Sequence, residues 1–335
     1  MKVLVTGGAG YIGSTVSSAL LDNGHIPVIL DSLENGKEEF TKGRIFYKSD
    51  YADEKIVEQI FKDHSDIQAV IHFAGYIYVP ESVEKPYEYY YNNVAKSIAF
   101  FKKLNNLGCK KVIFSSTAAL YGTADGVMVT EDLHVNPTSP YGKTKFMIEN
   151  ILEDYCVAYG MQGIALRYFN PIGADTQLRT GSYVANPSHI LGILLDVANN
   201  PEKTFQITGV NWATRDGTGV RDYIHVWDLA RAHIKALENF EIAIEKSKTK
   251  TGFIRINLGT GNGVTVRELV NAFEKVIGKE IRKVDAPPRF GDVAGAYANA
   301  ETALRLLDWK TEKTIEEGIS DAIKWQKKYF RCETK

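Results

Sequence analysis

Thr6-Gly-Gly-Ala-Gly-Tyr-Ile-Gly13 is the stretch that decides the fold, and it directly follows the short β-rich run Lys2–Thr6. Its first glycine, Gly7, would permit a tight turn, and Gly10 would let the backbone approach a pyrophosphate. The last glycine would allow the following helix to pack closely against the loop. That helix would present free N–H groups and a positive dipole end to phosphate. The stretch therefore predicts a dinucleotide-binding βαβ unit.

The first half of the chain alternates short β-rich runs with helical stretches, which is typical of a parallel sheet covered by helices on both faces. The predicted strands are Lys2–Thr6, Ile26–Leu30, Arg44–Tyr47, Ala69–His72, Lys111–Ser115 and Gly163–Arg167. The predicted helices are Tyr11–Asn23, Glu54–Asp63, Pro86–Leu107 and Tyr141–Tyr159. We therefore expect an α/β fold, a doubly wound parallel sheet of Rossmann type.

The chain has 335 residues, more than a single core usually supports. We expect a nucleotide-binding domain over residues 1–170 and a smaller substrate-binding lobe over 171–335, with segments around 222–260 returning to the first domain. The stretch from Gly173 to Pro187 is polar and has no clear period, which predicts a long loop. Loops of that length are uncommon unless they are functional.

Composition excludes several classes of protein. The chain is 44% hydrophobic and 24% charged with a net charge of −1, so it has no electrostatic footprint for nucleic acid or an anionic membrane. No apolar run approaches the roughly 20 residues that a membrane helix needs. Cys109, Cys156 and Cys332 are widely spaced, so we expect neither a disulfide framework nor a metal site. The start is too short for a signal peptide before the glycine loop, and we expect a cytoplasmic protein.

Asp31 ends the second predicted strand, 18 residues beyond Gly13. A carboxylate there should accept hydrogen bonds from the adenosine ribose hydroxyls and repel a 2′-phosphate. No arginine lies nearby in the sequence, so the prediction is NAD rather than NADP. The alternative is that Asp31 caps the turn that follows it.

Tyr141-Gly-Lys-Thr-Lys145 predicts a catalytic pair. Pro140 suits the first turn of a helix, with Ser139 or Thr138 as its cap. Four residues along a helix bring Tyr141 and Lys145 onto one face. An ammonium close to a phenol favours the phenolate, so the pair predicts a tyrosine base in a hydride-transfer enzyme.

Together these motifs resemble the extended short-chain dehydrogenase/reductase family, and specifically its UDP-glucose 4-epimerases, over nearly the whole chain. The residues that carry the resemblance are the glycine loop, His72-Phe-Ala-Gly75, Asn92-Asn-Val94, Phe114-Ser-Ser-Thr117, Tyr141-Gly-Lys-Thr-Lys145, Arg167-Tyr-Phe-Asn-Pro171 and Asp216-Gly-Thr-Gly-Val-Arg-Asp-Tyr-Ile-His225. The resemblance implies NAD as cofactor, UDP-sugars as substrates and inversion at sugar carbon 4 through a 4-keto intermediate. It also implies a homodimer built from the helices Pro86–Leu107 and Tyr141–Tyr159.

The resemblance further implies roles for individual residues. The catalytic residues would be Tyr141, Lys145 and Thr117. Thr117 would hydrogen-bond the 4-oxygen of the sugar and relay its proton. The cofactor residues would be Gly7, Gly10, Tyr11, Ile12, Gly13, Asp31, Ser32, Leu33, Asn35, Gly36, Asp50, Tyr51, Phe73, Ala74, Gly75, Asn92, Tyr141, Lys145 and Phe169. The substrate residues would be Thr117, Asn170, His189, Gln206, Ile207, Thr208, Arg221, Arg289, Asp292 and Ala296.

Some positions depart from the family pattern. Ile77 replaces a lysine that often contacts the cofactor, and Thr208 replaces an aromatic residue near the uracil. Ala296 matches a position where tyrosine accompanies restriction to UDP-glucose and UDP-galactose, whereas a small residue accompanies acceptance of N-acetylated sugars. Here alanine predicts that both kinds of substrate are accepted.

Three alternatives remain open. A 4,6-dehydratase would need an acid pair after Thr117, where this chain has Ala118 and Ala119. A UDP-glucuronate or UDP-pentose epimerase is a second alternative, because the loop that faces the sugar is variable. A non-catalytic nucleotide sensor would generally lack the tyrosine–lysine pair. For Arg221, the alternative to diphosphate binding is an ion pair with Asp222.

Overall fold

The computed structural model describes residues 1–122, 125–183, 187, 189–289 and 292–333. Its strands are β1 Lys2–Thr6, β2 Ile26–Asp31, β3 Ile45–Lys48, β4 Ile67–His72, β5 Lys111–Thr117, β6 Asp125–Val129, β7 Gln162–Tyr168, β8 Asn170–Ile172, β9 Phe205–Thr208, β10 Val220–Arg221, β11 Tyr223–His225, β12 Phe253–Leu258, β13 Val264–Thr265, β14 Lys283–Ala286 and β15 Gly295–Ala298. Its α-helices are α1 Tyr11–Asp22, α2 Glu54–Asp63, α3 Val79–Glu84, α4 Pro86–Tyr89, α5 Lys96–Asn106, α6 Pro140–Tyr159, α7 Ile190–Asn199, α8 Val226–Glu238, α9 Phe240–Ser247, α10 Val266–Ile277, α11 Glu301–Leu307 and α12 Ile315–Glu333.

Seven parallel strands form the central sheet, in the order β12-β7-β5-β4-β1-β2-β3. Each of the six strands expected from the sequence is present, with ends that differ by at most two residues. The strand order reverses beside β1, which pairs with β2 on one side and β4 on the other. Ligands of open α/β sheets bind at the carboxyl ends of the strands at such a switch point. The expected doubly wound fold is confirmed.

Apolar residues cover both faces of the sheet, because a parallel sheet is buried on both sides. One core cluster combines α1 residues such as Leu20 with α8 residues such as Leu229. The other combines Phe101 of α5 with Leu152 of α6. The two helical layers fix where α1 and α6 begin: α1 begins at the cleft described below, and α6 begins next to it.

The helix expected over Pro86–Leu107 is interrupted. α4 and α5 are joined by a π-helical turn over Tyr90–Ala95, which contains the buried Asn92 and Asn93. A π-turn holds one more residue than an α-turn and frequently occurs at functional sites. In this chain it changes the face on which Asn92 and its neighbours lie.

A second group of elements, most of which follow β7 in the chain, surrounds a separate core. A four-stranded sheet, β13-β10-β15-β6, and the pairs β11-β8 and β14-β9 belong to it. Leu194 of α7, Phe273 of α10 and Ile319 of α12 lie in its core. The chain nevertheless returns to the central sheet, since β12 pairs in parallel with β7.

Part of the surface of α5 and α6 is apolar. Ile98 and Met147 are each 41% exposed, and Val157 near the end of α6 is 66% exposed. Phe101, also on α5, is fully buried in the core. Within the described ranges, no helix is long and apolar enough to cross a membrane.

Candidate active site

A cleft of about 1570 Å³ lies at the carboxyl ends of the central strands and extends to the second group of elements. Its wall contains the glycine loop and the end of β2 on one side. On the other side it contains residues around β9 and β10, including Thr208 and Arg221. A single cleft therefore brings the expected cofactor and substrate regions together.

The glycine loop has the shape that the sequence predicted. Gly7 has a φ of +71°, and a Cβ there would lie 2.7 Å from the backbone nitrogen of Ala74. A Cβ on Gly13 would lie 2.2 Å from the carbonyl oxygen of Gly7, so only glycine permits this packing. Gly10 begins α1 without a side-chain cap, and it lines the cleft with Gly13. The loop is a cradle whose helix N-terminus faces the cleft and suits a phosphate.

Asp31 lies at the edge of this cradle and has two intramolecular partners. Its carboxylate accepts from the backbone N–H of Ala9 at 2.9 Å and of Leu33 at 2.8 Å. Burial raises its pKa, and these two hydrogen bonds oppose that rise. The carboxylate therefore caps the turn and also lines the cleft. Further residues of the expected cofactor set that line the cleft here are Ser32, Leu33, Asn35 and Gly36.

Asp50, Tyr51 and Asn92 form a second part of the same wall. Lys96 donates to Asp50 Oδ2 at 2.5 Å and to Asn92 Oδ1 at 2.9 Å. The Tyr51 hydroxyl donates to the Asn92 carbonyl oxygen, which holds the π-turn against the end of β3. Lys96 engages the Asn92 side-chain oxygen, and the amide NH₂ donates one hydrogen to Asn93 Oδ1 at 3.2 Å, so its second hydrogen is the one left for a ligand.

Phe73, Ala74 and Gly75 follow β4 and line the cleft. Gly75 has a φ of +152°, and a Cβ there would lie 3.1 Å from Asn93 Oδ1. Ile77, which replaces the expected lysine, is 56% exposed and lines the cleft nearby.

Tyr141 and Lys145 lie in the first two turns of α6, which begins at Pro140 with Ser139 as its cap. The hydroxyl of Ser139 accepts from Gly142 N–H at 3.1 Å. The Lys145 Nζ atom donates to the carbonyl oxygen of Ser115 on β5 at 2.9 Å. Lys145 is therefore fixed to the strand beside the helix, an arrangement that helical spacing alone does not reveal.

Burial shifts the pKa values of both Tyr141 and Lys145. It raises the pKa of Tyr141, and a hydrogen bond with Thr117 opposes that rise. Burial also lowers the pKa of Lys145 to about 8, while the charge of Glu149 acts in the opposite direction. The protein alone therefore holds Tyr141 as a neutral phenol at neutral pH.

Tyr141 and Lys145 lie next to the cleft wall rather than in it. Ser115, which accepts the Lys145 hydrogen bond, and Gly75 form the wall at this place. Phe169 is 8% exposed and stacks on Tyr121 with ring centroids 6.5 Å apart. Ala296 packs against the same aromatic cluster. Tyr141 is half-buried.

Arg221 is a half-buried cation without a carboxylate partner among the residues that the structure describes. Its guanidinium donates to the carbonyl oxygens of Val220, Ala294 and Val293, at 2.8, 3.2 and 3.2 Å. The alternative ion pair with Asp222 is not formed, because Asp222 accepts from backbone and side chain of Thr260 instead. Burial lowers the pKa of Arg221, so an anion in the cleft would be stabilised beside it.

The other expected substrate residues divide into two groups. Asn170, His189, Gln206 and Thr208 line the cleft. The Ile207 side chain instead lies in the second core, since alternate residues of β9 point to opposite faces. Arg289 and Asp292 line the cleft but bind each other, with Arg289 Nη2 3.1 Å from Asp292 Oδ1. Within the described ranges, no cluster of acidic, histidine or cysteine side chains is placed to hold a metal.

Sequence reasoning missed Tyr183. It lines the cleft, and its hydroxyl donates to the carbonyl oxygen of Asn35 in the cofactor loop. It lies in the loop from Gly173 to Pro187, whose length was the only signal that could have found it. Residues 184–186 and 188 of that region lie outside the described residues.

Comparison with known proteins identifies the family. The model of the NAD dependent epimerase/dehydratase family matches residues 3–248. The chain belongs to this family. It is 42% identical to the UDP-glucose 4-epimerase of Bacillus subtilis (strain 168), over 97% of each chain.

Solved structures of this family share the fold over the whole length. A UDP-glucose-4-epimerase from Stenotrophomonas maltophila, with bound NAD and formylated UDP-arabinopyranose, has a TM-score of 0.92 and 37% identity over 99% of each chain. The UDP-Glc/GlcNAc 4-epimerase from Campylobacter jejuni has a TM-score of 0.82 and 32% identity, over 98% of this chain and 99% of that one. The resemblance drawn from the sequence motifs is confirmed.

Proposed function

We propose that this protein is an NAD-dependent UDP-glucose 4-epimerase, which interconverts UDP-glucose and UDP-galactose. The observation that carries the proposal is the meeting of three features at one cleft: the glycine cradle, the Tyr141–Lys145 pair and Arg221, which has no carboxylate partner in the described part of the chain. Relatives that are named UDP-glucose 4-epimerases and match over nearly the whole chain support it.

The residues present fit NAD. A Cβ at Gly10 would find only the Gly7 carbonyl oxygen within 4 Å among the described residues, so the backbone is open to a pyrophosphate. Asp31 suits a ribose that carries two free hydroxyls and not a 2′-phosphate. Bound in this cradle, NAD would supply the acceptor and donor of the hydride at sugar carbon 4.

Tyr141 acts as the base that takes the proton of the 4-hydroxyl group. A neutral phenol with a raised pKa must first be activated, and a cation held close to it favours the phenolate. Lys145 supplies one such charge from the next turn of α6. Thr117, which hydrogen-bonds Tyr141, holds the phenol oxygen and passes the proton to and from the sugar oxygen.

The protein holds UDP while the 4-keto sugar turns over. Arg221 and Arg289 bind the diphosphate, and Asn170 contributes a polar contact. His189, Gln206, Thr208 and Asp292 surround the sugar, ribose and uracil, together with the backbone of Ile207. Since Arg289 and Asp292 pair with each other, diphosphate binding exchanges that exposed ion pair for a contact with the ligand.

Ala296 extends the substrate range to UDP-N-acetylglucosamine and UDP-N-acetylgalactosamine. Its methyl group packs beside Phe169 and Tyr121, where a larger side chain would fill space next to the sugar. The Campylobacter jejuni neighbour, named a UDP-Glc/GlcNAc 4-epimerase, supports a scaffold of this kind for both substrates.

The protein works as a cytoplasmic homodimer in galactose metabolism. The exposed apolar side chains of α5 and α6, Ile98 and Met147 among them, support a two-fold interface on these helices. Dehydration is not favoured, because Ala118 and Ala119 after Thr117 offer no acid pair. A non-catalytic sensor would have no use for a tyrosine–lysine pair fixed against β5.

The decisive experiment incubates the protein with a panel of UDP-sugars and separates the products. UDP-glucose and UDP-galactose should interconvert without stoichiometric formation of NADH, because the hydride returns within one turnover. Steady accumulation of NADH would indicate a net dehydrogenase, and conversion of only UDP-glucuronate or UDP-pentoses would identify a different epimerase.

A further inference from the structure

Three consecutive residues of β5 hold three side chains of α6 that are spaced four residues apart. The contacts are Thr117 with Tyr141, Ser115 O with Lys145 Nζ at 2.9 Å, and Ser116 Oγ with Glu149 Oε1 at 2.5 Å. The first two belong to the proposed chemistry, and the third has no role in it. Glu149 therefore extends the catalytic face of α6 by one turn.

Glu149 is fully buried, and cations surround its carboxylate. Arg167 of β7 binds it with Nε 3.0 Å from Oε1 and Nη2 2.7 Å from Oε2. Arg255 of β12 approaches Oε2 at 3.1 Å, and its Nη2 binds Glu153 at 2.6 Å. The Glu149 carboxylate therefore meets one hydroxyl donor, from Ser116, and two guanidinium groups.

Within the described part of the chain, the groups of other elements near Lys145 carry no negative charge. His72 of β4 is buried, and its pKa falls to about 3, so it is neutral at working pH. The Phe114 ring of β5 lies 4.9 Å from the lysine nitrogen. Tyr168 of β7 hydrogen-bonds Ser115, the partner of Lys145, and burial raises its pKa, so it is neutral as well. Among the described residues, Glu149 is the carboxylate whose charge favours the ammonium form of Lys145.

The balance of buried charge determines which cation near Glu149 would lose its proton first. If Glu149 lost its charge, Arg167 and Lys145 would remain in the interior, with Arg255 at its edge. Arginine does not release its proton in proteins, whereas a buried lysine readily does. Lys145 would therefore be the residue that becomes neutral.

We propose that Glu149 is a positioning residue of the tyrosine–lysine pair, which keeps the Lys145 ammonium charged and fixes the catalytic face of α6 against β5. The inference rests on the proposed function, because it gives Lys145 the task of activating Tyr141. Glu149 touches neither substrate nor cofactor in this scheme and acts through Lys145.

The test replaces Glu149 by glutamine in the NAD-containing protein and measures kcat against pH. Four residues of helix separate the two charges by about 6 Å along the axis. At an effective dielectric constant of about 20, removing one unit charge at that distance moves a pKa by about one to two units. The limb on which kcat falls as pH rises should therefore move toward lower pH by that amount. A fall in kcat by the same factor at every pH would overturn the inference, since a merely structural role predicts that result.

Glu153→Gln is the matched control. Glu153 also lies on α6 and also binds Arg255, but its side chain is 28% exposed and lies eight residues from Lys145. That separation, about 12 Å along the helix, exceeds the screening length of about 8 Å at physiological salt. In Glu153→Gln, the limb on which kcat falls as pH rises should stay at its wild-type position. An equal shift in both variants would contradict a specific role of Glu149.

A second variant and a direct readout keep the inference testable if Glu149→Gln does not fold. Arg255→Gln removes a cation at the edge of the group, so the same limb should move toward higher pH, and an unchanged limb would refute the charge argument. The ε-carbon resonance of Lys145 can be followed in ¹³C-lysine-labelled protein and assigned with Lys145→Arg. In each variant, the pKa from this resonance should move in the same direction and by the same amount as the limb of the kcat profile. This titration needs no substrate, so it reports on Glu149 even if the panel of UDP-sugars shows no epimerisation.

Discussion

Gly10→Ala and Gly13→Ala separate the phosphate cradle from the packing of the fold. Among the residues that the structure describes, a Cβ at Gly10 would meet only the Gly7 carbonyl oxygen, at an ordinary 3.4 Å, and the φ of −80° at Gly10 suits alanine. The variant should unfold with a free energy within about 1 kcal/mol of wild type, the usual cost of alanine at a helix N-cap. Its new methyl group projects into the cradle, so the purified protein should contain little NAD.

Gly13→Ala should primarily lower the stability of the fold, whereas Gly10→Ala primarily lowers the NAD content. Its Cβ would lie 2.2 Å from the Gly7 carbonyl oxygen, a distance at which the backbone itself must move. Overpacking of this kind costs typically about 1–3 kcal/mol, so the apoprotein itself should be destabilised.

Urea unfolding of the NAD-free proteins gives the two free energies, and the NAD released on heating gives the occupancy. Removing NAD first is necessary, because a bound ligand adds its own stabilisation. A Gly10→Ala protein that retains a full complement of NAD would refute the cradle. A Gly13→Ala apoprotein as stable as wild type would refute the packing argument.

Three further predictions concern the reaction and the assembly. Tyr141→Phe should keep its NAD and lose about 10²–10⁴-fold in kcat, the usual cost of removing a general base; near-normal turnover would exclude the mechanism. Ala296→Tyr should abolish epimerisation of N-acetylated UDP-sugars and spare UDP-glucose, as product separation would show; equal loss of both would place the residue elsewhere in catalysis. Light scattering should give twice the 37.4 kDa of one chain, and Ile98→Glu should halve it; a wild-type particle of one chain would exclude the dimer.

The sheet could be predicted from the sequence because its strands are short apolar runs between turn residues and helices. The long helix from Pro86 was predicted wrongly in its middle. Helical periodicity does not distinguish an α-turn from the π-turn at Tyr90–Ala95, since the extra residue changes only which side chains face inward.

The site could be predicted as far as local spacing determines it. The turn at Gly7 and the cap at Ser139 depend on neighbours in the chain, and the structure has both. The position of the Lys145 nitrogen depends on the strand opposite the helix, which spacing within the helix does not describe. Spacing within the helix also does not reveal the role of Glu149, because its partners come from three different strands.

The pairing of β12 with β7 has a consequence for how the chain is made. About 85 residues separate the two strands, and β7 has no outer neighbour until Phe253–Leu258 has been synthesised. Such an open strand edge invites pairing with other chains, and contacts of long sequence separation form slowly. A ribosome that stalls before residue 258 therefore holds a nascent chain whose nucleotide-binding sheet is unfinished, and a protein ending at residue 252 should aggregate where the full chain stays in solution.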